Sequence, residues 1–391
     1  MIGGTETDRI GGVFDSLAAF YKGRRVLVTG HTGFKGAWLT EWLLAFGAEV
    51  AGLSLPPYTT PSLFDHLDLA GRMNHRIGDI RKPGVVSDVV RDVRPSVVFH
   101  LAAQAIVRES YDSPLETYAT NVMGTIHILE ALRQLREPCA AVFITSDKCY
   151  ENREWIYGYR ETDPMGGHDP YSSSKGCAEL AIASFRRSFF PPAVADAPPV
   201  AIASARAGNV IGGGDWGTDR IVPDCMRALS RGEAIVVRNK HARRPWQHVL
   251  EPLCGYLMLA AALYKTLSEE KPAFGNAEPL FSAFNFGPAR CSTCSVRELV
   301  EEILLHWPGT WEDRSDASAA HEAHWLALST EKAHHLLGWQ PVWNFKEAVA
   351  RTVDWYRRCR DEDPGTVTRE QIAAYTGDAV AARRRGTTTH E

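Results

Sequence analysis

The chain has 391 residues, 45% of them hydrophobic and 23% charged, with a formal net charge of −4. That length suits two domains or one large α/β domain with a lobe, and the charge, with no long basic run, argues against a nucleic-acid partner. No apolar stretch reaches membrane-spanning length and residues 1–20 lack a signal-peptide apolar region, so no membrane partner is expected, the location reads as cytoplasmic, and the eight Cys read as thiols.

Residues 1–20 read as an N-terminal extension. Arg24–Thr29 is a short apolar strand that runs into Gly30-His31-Thr32-Gly33-Phe34-Lys35-Gly36, and Ala37–Leu44 then follows with helical period. Glycines let the chain turn tightly beside a pyrophosphate, and the helix N-terminus offers it free N–H groups. A strand before the loop and a helix after it are the context such a loop requires. Gly30, Thr32, Gly33, Phe34 and Gly36 are therefore expected at a dinucleotide.

The second strand, Glu49–Leu55, ends without an Asp or Glu for a ribose hydroxyl and without an Arg for a 2′-phosphate, so the ribose rule does not separate NAD from NADP. Ser54 is the candidate there. Asp79 and Ile80 follow the third strand and are candidates for the adenine, although Asp79 also reads as a plain surface residue. Val97–Leu101 is the fourth strand. Leu101, Ala102 and Ala103 end it with small side chains past which a flat nicotinamide half fits, and Gln104 comes next, toward the substrate.

Helical segments at Val85–Val93, Pro114–Leu135 and Ser172–Ser188 alternate with strands Ala141–Thr145 and Val200–Ala205. The alternation predicts a Rossmann-type α/β fold, a doubly wound parallel sheet with right-handed crossovers, over residues 21–208. After Gly208 the pattern loosens. Residues 209–247 and 268–377 read as a smaller, discontinuous C-terminal substrate-binding domain, with the helix at 248–267 packing back on the sheet. Pro191–Pro199 reads as a surface loop, 268–280 and 311–323 as polar loops, and the Arg-rich tail at 378–391 as disordered. Cys291 and Cys294 lack a second pair, and His321 and His324 lack a third ligand, so no metal is expected.

Two short motifs carry the chemistry. Tyr171 and Lys175 lie one helical turn apart on one face, and a lysine ammonium beside a phenol favours the phenolate. Ser146, Asp147 and Lys148 end the apolar run Cys139–Thr145, at the carboxyl end of a strand, where open α/β sheets keep their chemistry. The first motif suggests alcohol oxidation. The second adds an acid and a candidate base, which simple oxidation does not need.

The Gly30–Gly36 loop, the His100–Ala103 strand end, Asn121 and the Tyr171/Lys175 pair resemble the extended short-chain dehydrogenase/reductase family, with Ser146 at that family's Ser/Thr position. Because Asp147 follows Ser146 directly, the chain resembles the nucleotide-sugar 4,6-dehydratase branch. The strings Thr145–Trp155, Gly158–Glu161, Pro164–Tyr171, Arg206–Trp216 and Arg244–Pro252 extend the likeness, toward the members that use CDP-sugars.

That resemblance implies NAD as cofactor, CDP-glucose as substrate, and CDP-4-keto-6-deoxy-D-glucose and water as products. It makes Tyr171 the base for the C4 hydroxyl, Lys175 its partner and a ribose ligand, Ser146 a hydrogen-bond donor to the sugar oxygen, and Asp147 the acid for the leaving C6 hydroxyl. Lys148 stands where related dehydratases that act on dTDP-glucose have Glu. It is either the C5 base or a cation that polarises the 4-keto oxygen, and as a base it must be neutral. Asn209, Arg220, Arg244 and His248 are implied on the substrate side, and Trp216 is either a nucleotide-stacking residue or a loop anchor. A guanidinium such as that of Arg244 forks onto phosphate oxygens. A homodimer through the helices around Pro114–Leu135 and Ser172–Ser188 is also implied. The alternatives are a dehydratase or epimerase for another nucleotide sugar, and an NAD-binding regulator without chemistry. Retention of Asp147, Tyr171 and Lys175 counts against the regulator.

Overall fold

Strand β1 (Arg25–Thr29) sends Val26 and Val28 into the core on one face of the sheet and Leu27 into the core on the other, and all three are fully buried. A strand covered on both faces is apolar throughout rather than alternating. The computed structural model describes residues 6–191, 199–268, 278–289, 292–315 and 326–387. Within them β1 is joined by β2 (Glu49–Ser54), β3 (Asn74–Ile77), β4 (Val97–His100), β5 (Cys139–Ile144), β6 (Val200–Ala207) and β7 (Ala283–Phe286). The sheet order is β7-β6-β5-β4-β1-β2-β3, with every pairing parallel. The strand order reverses between β1 and β4, which opens a crevice beyond their carboxyl ends. The doubly wound sheet expected from the sequence is present.

Helix α1 (Glu6–Tyr21) covers most of the expected extension. Its described side chains dock on the core: Phe14, Leu17 and Tyr21 are buried, and the Tyr21 hydroxyl donates to the Leu257 carbonyl at 2.8 Å. Helix α2 (Phe34–Ala45) is apolar nearly all round and is buried accordingly, with Trp38, Leu39, Trp42 and Leu43 fully enclosed. Helix α3 (Pro83–Val93) is amphipathic and lays Val86, Val89, Val90 and Val93 on the other face.

The helix expected over Pro114–Leu135 is interrupted. Pro114–Tyr118 leads into a π-turn at Ala119–Met123, and only then into α4 (Gly124–Leu132). The wider turn carries Asn121, whose side chain accepts from the Gln104 N–H at 2.8 Å and donates to the Gln104 carbonyl at 3.0 Å and to Ser174 Oγ at 2.8 Å. Single π-turns often mark functional positions. Helix α5 (Pro170–Phe189) starts with Pro170 in its first turn and Asp169 as N-cap, which accepts from the Ser172 N–H at 2.9 Å.

Beyond β6 lie α6 (Ile221–Arg231), α7 (Leu250–Ser268), α8 (Val296–His306), α9 (Phe345–Arg358) and α10 (Pro364–Thr387). Helix α7 lies against β5 and β6. Further features differ from expectation. Strand β7 arises inside the segment assigned to the substrate domain and completes the sheet edge beside β6, with Ala283 paired to Ser204. The tail was expected to be disordered from residue 378, yet α10 runs through Thr387 because Ile372, Tyr375 and Ala379 give it a buried stripe. Tyr375 donates to the buried Glu251 carboxyl at 2.8 Å, and burial pushes that carboxyl up to about 7 despite this bond and those from Val342 and Trp343.

Trp311–Asp313, expected in a polar loop, is a short strand that pairs with Ile235–Val237. Residues 192–198, 269–277, Cys291, His321 and His324 lie outside the described residues, so the loop and metal readings made on them are not addressed. Among the described residues no helix is long and apolar enough to cross a membrane.

Candidate active site

The crevice holds a cavity of about 1740 Å³. Its floor is the glycine loop and the strand ends of β1, β2, β4 and β5, and its far wall belongs to the segments after β6. Gly30 has φ +76°, and a Cβ there would lie 2.7 Å from the Ala102 N. A Cβ on Gly36 would fall 2.1 Å from the Gly30 carbonyl oxygen. These two glycines let the loop fold onto itself and onto the end of β4. Gly33 caps α2 without a side-chain hydrogen bond, and the first turn of α2 holds no acid. The positive end of that helix is left facing the cavity, and it suits a phosphate.

Thr32 donates to the Leu55 carbonyl at 2.9 Å, so the 2.7 Å contact between Thr32 and Ser54 is donated by Ser54. The Ser54 oxygen thus keeps its lone pairs for a hydroxyl donor such as a ribose. Asp79 and Ile80 also line the cavity. Both Asp79 oxygens are engaged by Arg81, whose hydrogen bonds hold the Asp79 carboxyl below its usual range against the opposing effect of burial. Leu101, Ala102 and Ala103 follow along the floor. Helix end, hydroxyl pair and small residues together fit the phosphate, ribose and ring portions of a dinucleotide. Among the described residues no group of His, Cys, Asp and Glu is arranged to hold a metal ion.

At the end of β5 the chain makes a short 3-10 turn, Asp147–Cys149. Ser146 caps it: Oγ accepts from the Lys148 N–H at 3.2 Å and donates to Asp147 Oδ1 at 3.1 Å. Asp147 is buried, while Lys148 is half-buried at the cavity wall. Facing them from the first turn of α5 is Tyr171, whose backbone N–H is fixed by Ser110 Oγ at 3.1 Å. Burial pushes the Tyr171 phenol up to about 12. A hydrogen bond with Ser146 opposes that, the Asp147 charge adds to it, and the Arg220 charge counters it.

Lys175 is also buried. Its ammonium is pulled down to about 8, chiefly by burial and then by the like charge of Lys35. Of the cations acting on the Tyr171 phenol, Arg220 has the largest effect. The neighbouring His100 is joined to Thr29 at 2.7 Å and to Thr125 at 3.1 Å, and burial holds it neutral, at about 3.

Gln104, Asn209, Arg220 and Arg244 line the same cavity. Gln104 is tied at both ends of its amide, its Nε2 donating to the Ile106 carbonyl at 3.0 Å and to Thr117 Oγ1 at 3.1 Å and its Oε1 accepting from the Ile106 N–H at 2.5 Å. Arg220 is held by Asp215 at 2.9 Å. Trp216 and His248 do not line the cavity, which favours the loop-anchor alternative for Trp216 and corrects the assignment of His248 to the substrate. Trp216 packs edge-on to Tyr356 and His66 as a loop anchor. His248 is enclosed between Trp38 and Trp343 and accepts from the Leu250 N–H at 3.3 Å. Burial keeps it neutral.

Five cavity cations were not singled out from the sequence, Lys35, Arg81, Arg108, Arg238 and Arg314. Lys35 sits inside the glycine loop, and burial lowers it to about 8 while Asp147 pulls it upward. Its place in the first turn of α2, where a cation opposes the helix dipole, was the available signal. Arg108 and Arg238 come from opposite walls and share Asp219, at 3.3 and 2.9 Å. No motif marks either one.

The family model for GDP-mannose 4,6 dehydratase matches residues 27–272. A CDP-glucose 4,6-dehydratase from Salmonella typhimurium is 46% identical over 359 residues, covering 91% of this chain and 97% of that protein. A dTDP-glucose 4,6-dehydratase from Xanthomonas campestris is 24% identical over 348 residues, 84% of this chain and 92% of that one. Among solved structures, the dTDP-glucose 4,6-dehydratase DesIV from Streptomyces venezuelae, crystallised with NAD, superposes with a TM-score of 0.69 at 22% identity. It covers 86% of this chain and 97% of its own, a likeness of fold.

Proposed function

The chain belongs to the GDP-mannose 4,6 dehydratase family, and from that premise we propose that it is an NAD-dependent lyase converting CDP-D-glucose to CDP-4-keto-6-deoxy-D-glucose and water. The observation that carries the reading is the constellation itself. Asp147 and Lys148, the acid and base that a dehydration needs beyond an oxidation, sit at one strand end in the same cavity as Tyr171 and Lys175. The identity across nearly the whole length of a CDP-glucose 4,6-dehydratase supports the choice of nucleotide.

When bound, NAD⁺ supplies a reversible hydride acceptor, for oxidation at C4 and for reduction at C6. Tyr171 takes the proton of the C4 hydroxyl as the C4–H bond breaks. The ketone acidifies C5, and Lys148 removes the C5 proton. The C6–O bond then breaks as Asp147 donates a proton, and water leaves. Return of a proton to C5, together with reduction at C6, completes the product. Ser146 Oγ, whose proton goes to Asp147 in the unliganded site, turns it to the sugar oxygen when substrate is bound. Asn209, Arg220 and Arg244 hold the diphosphate, and Lys175 with Ser54 holds the riboses of the cofactor. In this reading residues 21–208 carry the cofactor, and 209–247 with 268–377 carry most of the substrate contacts.

Incubating the purified protein with CDP-, dTDP-, GDP- and UDP-glucose tests it. The 4-keto-6-deoxy product is expected from CDP-glucose at a rate at least tenfold above the others, roughly the discrimination a few hydrogen bonds to a base supply. Equal turnover of all four overturns the CDP assignment, and no product from any overturns the dehydratase reading.

The protein acts as a homodimer in the cytoplasm. Leu115, Met123 and Leu180 stay exposed on the adjacent helices Pro114–Leu132 and α5, an apolar face suited to a second copy. The seven described cysteines are free, as a reducing compartment keeps them. Light scattering is expected to give the dimer mass for the native chain and the monomer mass for Leu180→Lys. A monomeric native chain rejects the dimer.

A further inference from the structure

Behind the catalytic turn lies a buried ion pair that the chemistry above does not use. Arg206 Nη2 meets Glu179 Oε2 at 2.8 Å, and each residue is only 4% exposed. Glu179 also accepts from Ser204 Oγ at 2.8 Å and, through Oε1, from Thr145 Oγ1 at 2.5 Å. Arg206 donates through Nη1 to the Tyr150 hydroxyl at 2.7 Å and to the Glu161 carbonyl at 3.0 Å. Tyr150 passes the chain of bonds to Asn285 Oδ1 on β7 at 2.8 Å, and Asn285 donates to the Tyr159 carbonyl at 2.8 Å. Burial raises the Glu179 carboxyl, but the Arg206 charge and the bonds from Arg206, Thr145 and Ser204 outweigh it and hold it below the usual range, so the pair is ionised.

A buried ion pair is poor value for stability alone, because desolvation takes back much of the attraction. Its placement is the informative part. Thr145 is the residue before Ser146-Asp147-Lys148, and Tyr150 is the second residue after Lys148. Each half of the pair therefore grips one end of the turn. The last residue of the turn, Cys149, is gripped independently. Gly166 N–H donates to the Cys149 carbonyl at 2.9 Å, and α5 approaches so closely that a Cβ on Gly176 would lie 2.8 Å from the Gly166 oxygen and 3.3 Å from that of Cys149. Gly176 follows Lys175, and Glu179 is one turn further along the same helix.

We propose that the Glu179–Arg206 pair is a positioning clamp, with Glu179 through Thr145 and Arg206 through Tyr150 fixing the turn that carries Asp147 and Lys148 relative to the helix that carries Tyr171 and Lys175. Its consequence for catalysis rests on the dehydratase reading. The clamp governs the elimination, which uses Asp147 and Lys148. It bears less on C4 oxidation, whose base Tyr171 is anchored separately by Ser110 and the Asp169 cap.

Thr145→Val and Tyr150→Phe each release one end and leave the ion pair intact, which avoids stranding a buried charge. Each is expected to slow water loss roughly ten- to a hundredfold, the penalty of a small misplacement of reacting groups. KM for CDP-glucose stays within about twofold, because the phosphate contacts lie elsewhere. Quenched reactions then accumulate the 4-keto sugar that still carries its C6 hydroxyl, and Thr145→Ser, which keeps the hydroxyl, restores the native ratio. Amide hydrogen exchange of the full chain without substrate reads the clamp directly: exchange at Asp147–Tyr150 rises in both variants while the β1–β4 amides stay unchanged. Native protection at the turn overturns the proposal, as does an equal loss of oxidation and elimination. Should the native chain make no 4-keto product from CDP-glucose, the dehydratase reading fails, and the exchange measurement alone decides the clamp.

Discussion

Tyr171→Phe is expected to lower kcat for 4-keto-6-deoxy product roughly 10³-fold, about 4 kcal/mol of barrier, while KM for CDP-glucose stays within about twofold. The phenol lines the cavity from the first turn of α5, where the proposed chemistry has it take the C4 hydroxyl proton, and it is joined to Ser146 on the opposing turn. Removing its oxygen leaves the buried ring in place, since Tyr171 is only 8% exposed and its backbone is fixed by Ser110. Fold and substrate binding are therefore spared. Burial holds the unliganded phenol near 12, so ionisation has to be driven when positive charge closes in around it. Because the base form is the deprotonated one, kcat/KM of the native enzyme rises with pH through the neutral range. Loss of the Lys175 proton at about 8 then removes a nearby positive charge and turns the profile over. Stopped-flow and quenched assays across pH check both statements. A Tyr171→Phe variant within tenfold of native activity removes Tyr171 from the base role.

What could be read from the sequence divides along the range of the interactions involved. The glycine loop, the ends of β1, β2, β4 and β5, and the Tyr171/Lys175 pair were legible because each is set by a few neighbouring residues: a strand, a turn and a helix start. His248 was misassigned, and Trp216 was left between two readings, because the residues that enclose them come from far along the chain, Trp38 with Trp343 for the first and Tyr356 for the second. Nothing in Trp216 itself says which way its ring faces. Strand β7 is four residues long, and only its pairing with β6 marks it as part of the sheet. The polar run of α10 conceals a stripe of Ile372, Tyr375 and Ala379 that has meaning only against the core it covers. The Glu179–Arg206 pair joins α5 to β6 across 27 positions, a partnership that neither segment announces.

The sharpest separation of roles is expected from Lys148→Met set beside Asp147→Asn. Lys148→Met keeps the length of the side chain and removes the amine. It is expected to abolish exchange of the C5 hydrogen with solvent deuterium and to lower product formation roughly 10²- to 10³-fold, with C4 oxidation retained. Asp147→Asn keeps the shape of the acid and its bond from Ser146 but cannot give up a proton to the leaving hydroxyl. There, C5 exchange is expected to persist while water loss stops. The geometry is why the two come apart. Both side chains leave the same 3-10 turn, yet Asp147 is buried against Gly208, whose Cβ position lies 2.7 Å from Asp147 Oδ2, whereas Lys148 stands half-buried at the wall. A fixed, enclosed acid suits a leaving group that must depart in one direction. If instead Lys148 only polarises the 4-keto oxygen as a cation, C5 exchange in Lys148→Met continues through another base. Unimpaired exchange therefore rejects the base role, and loss of exchange in Asp147→Asn as well merges the two residues into one coupled step.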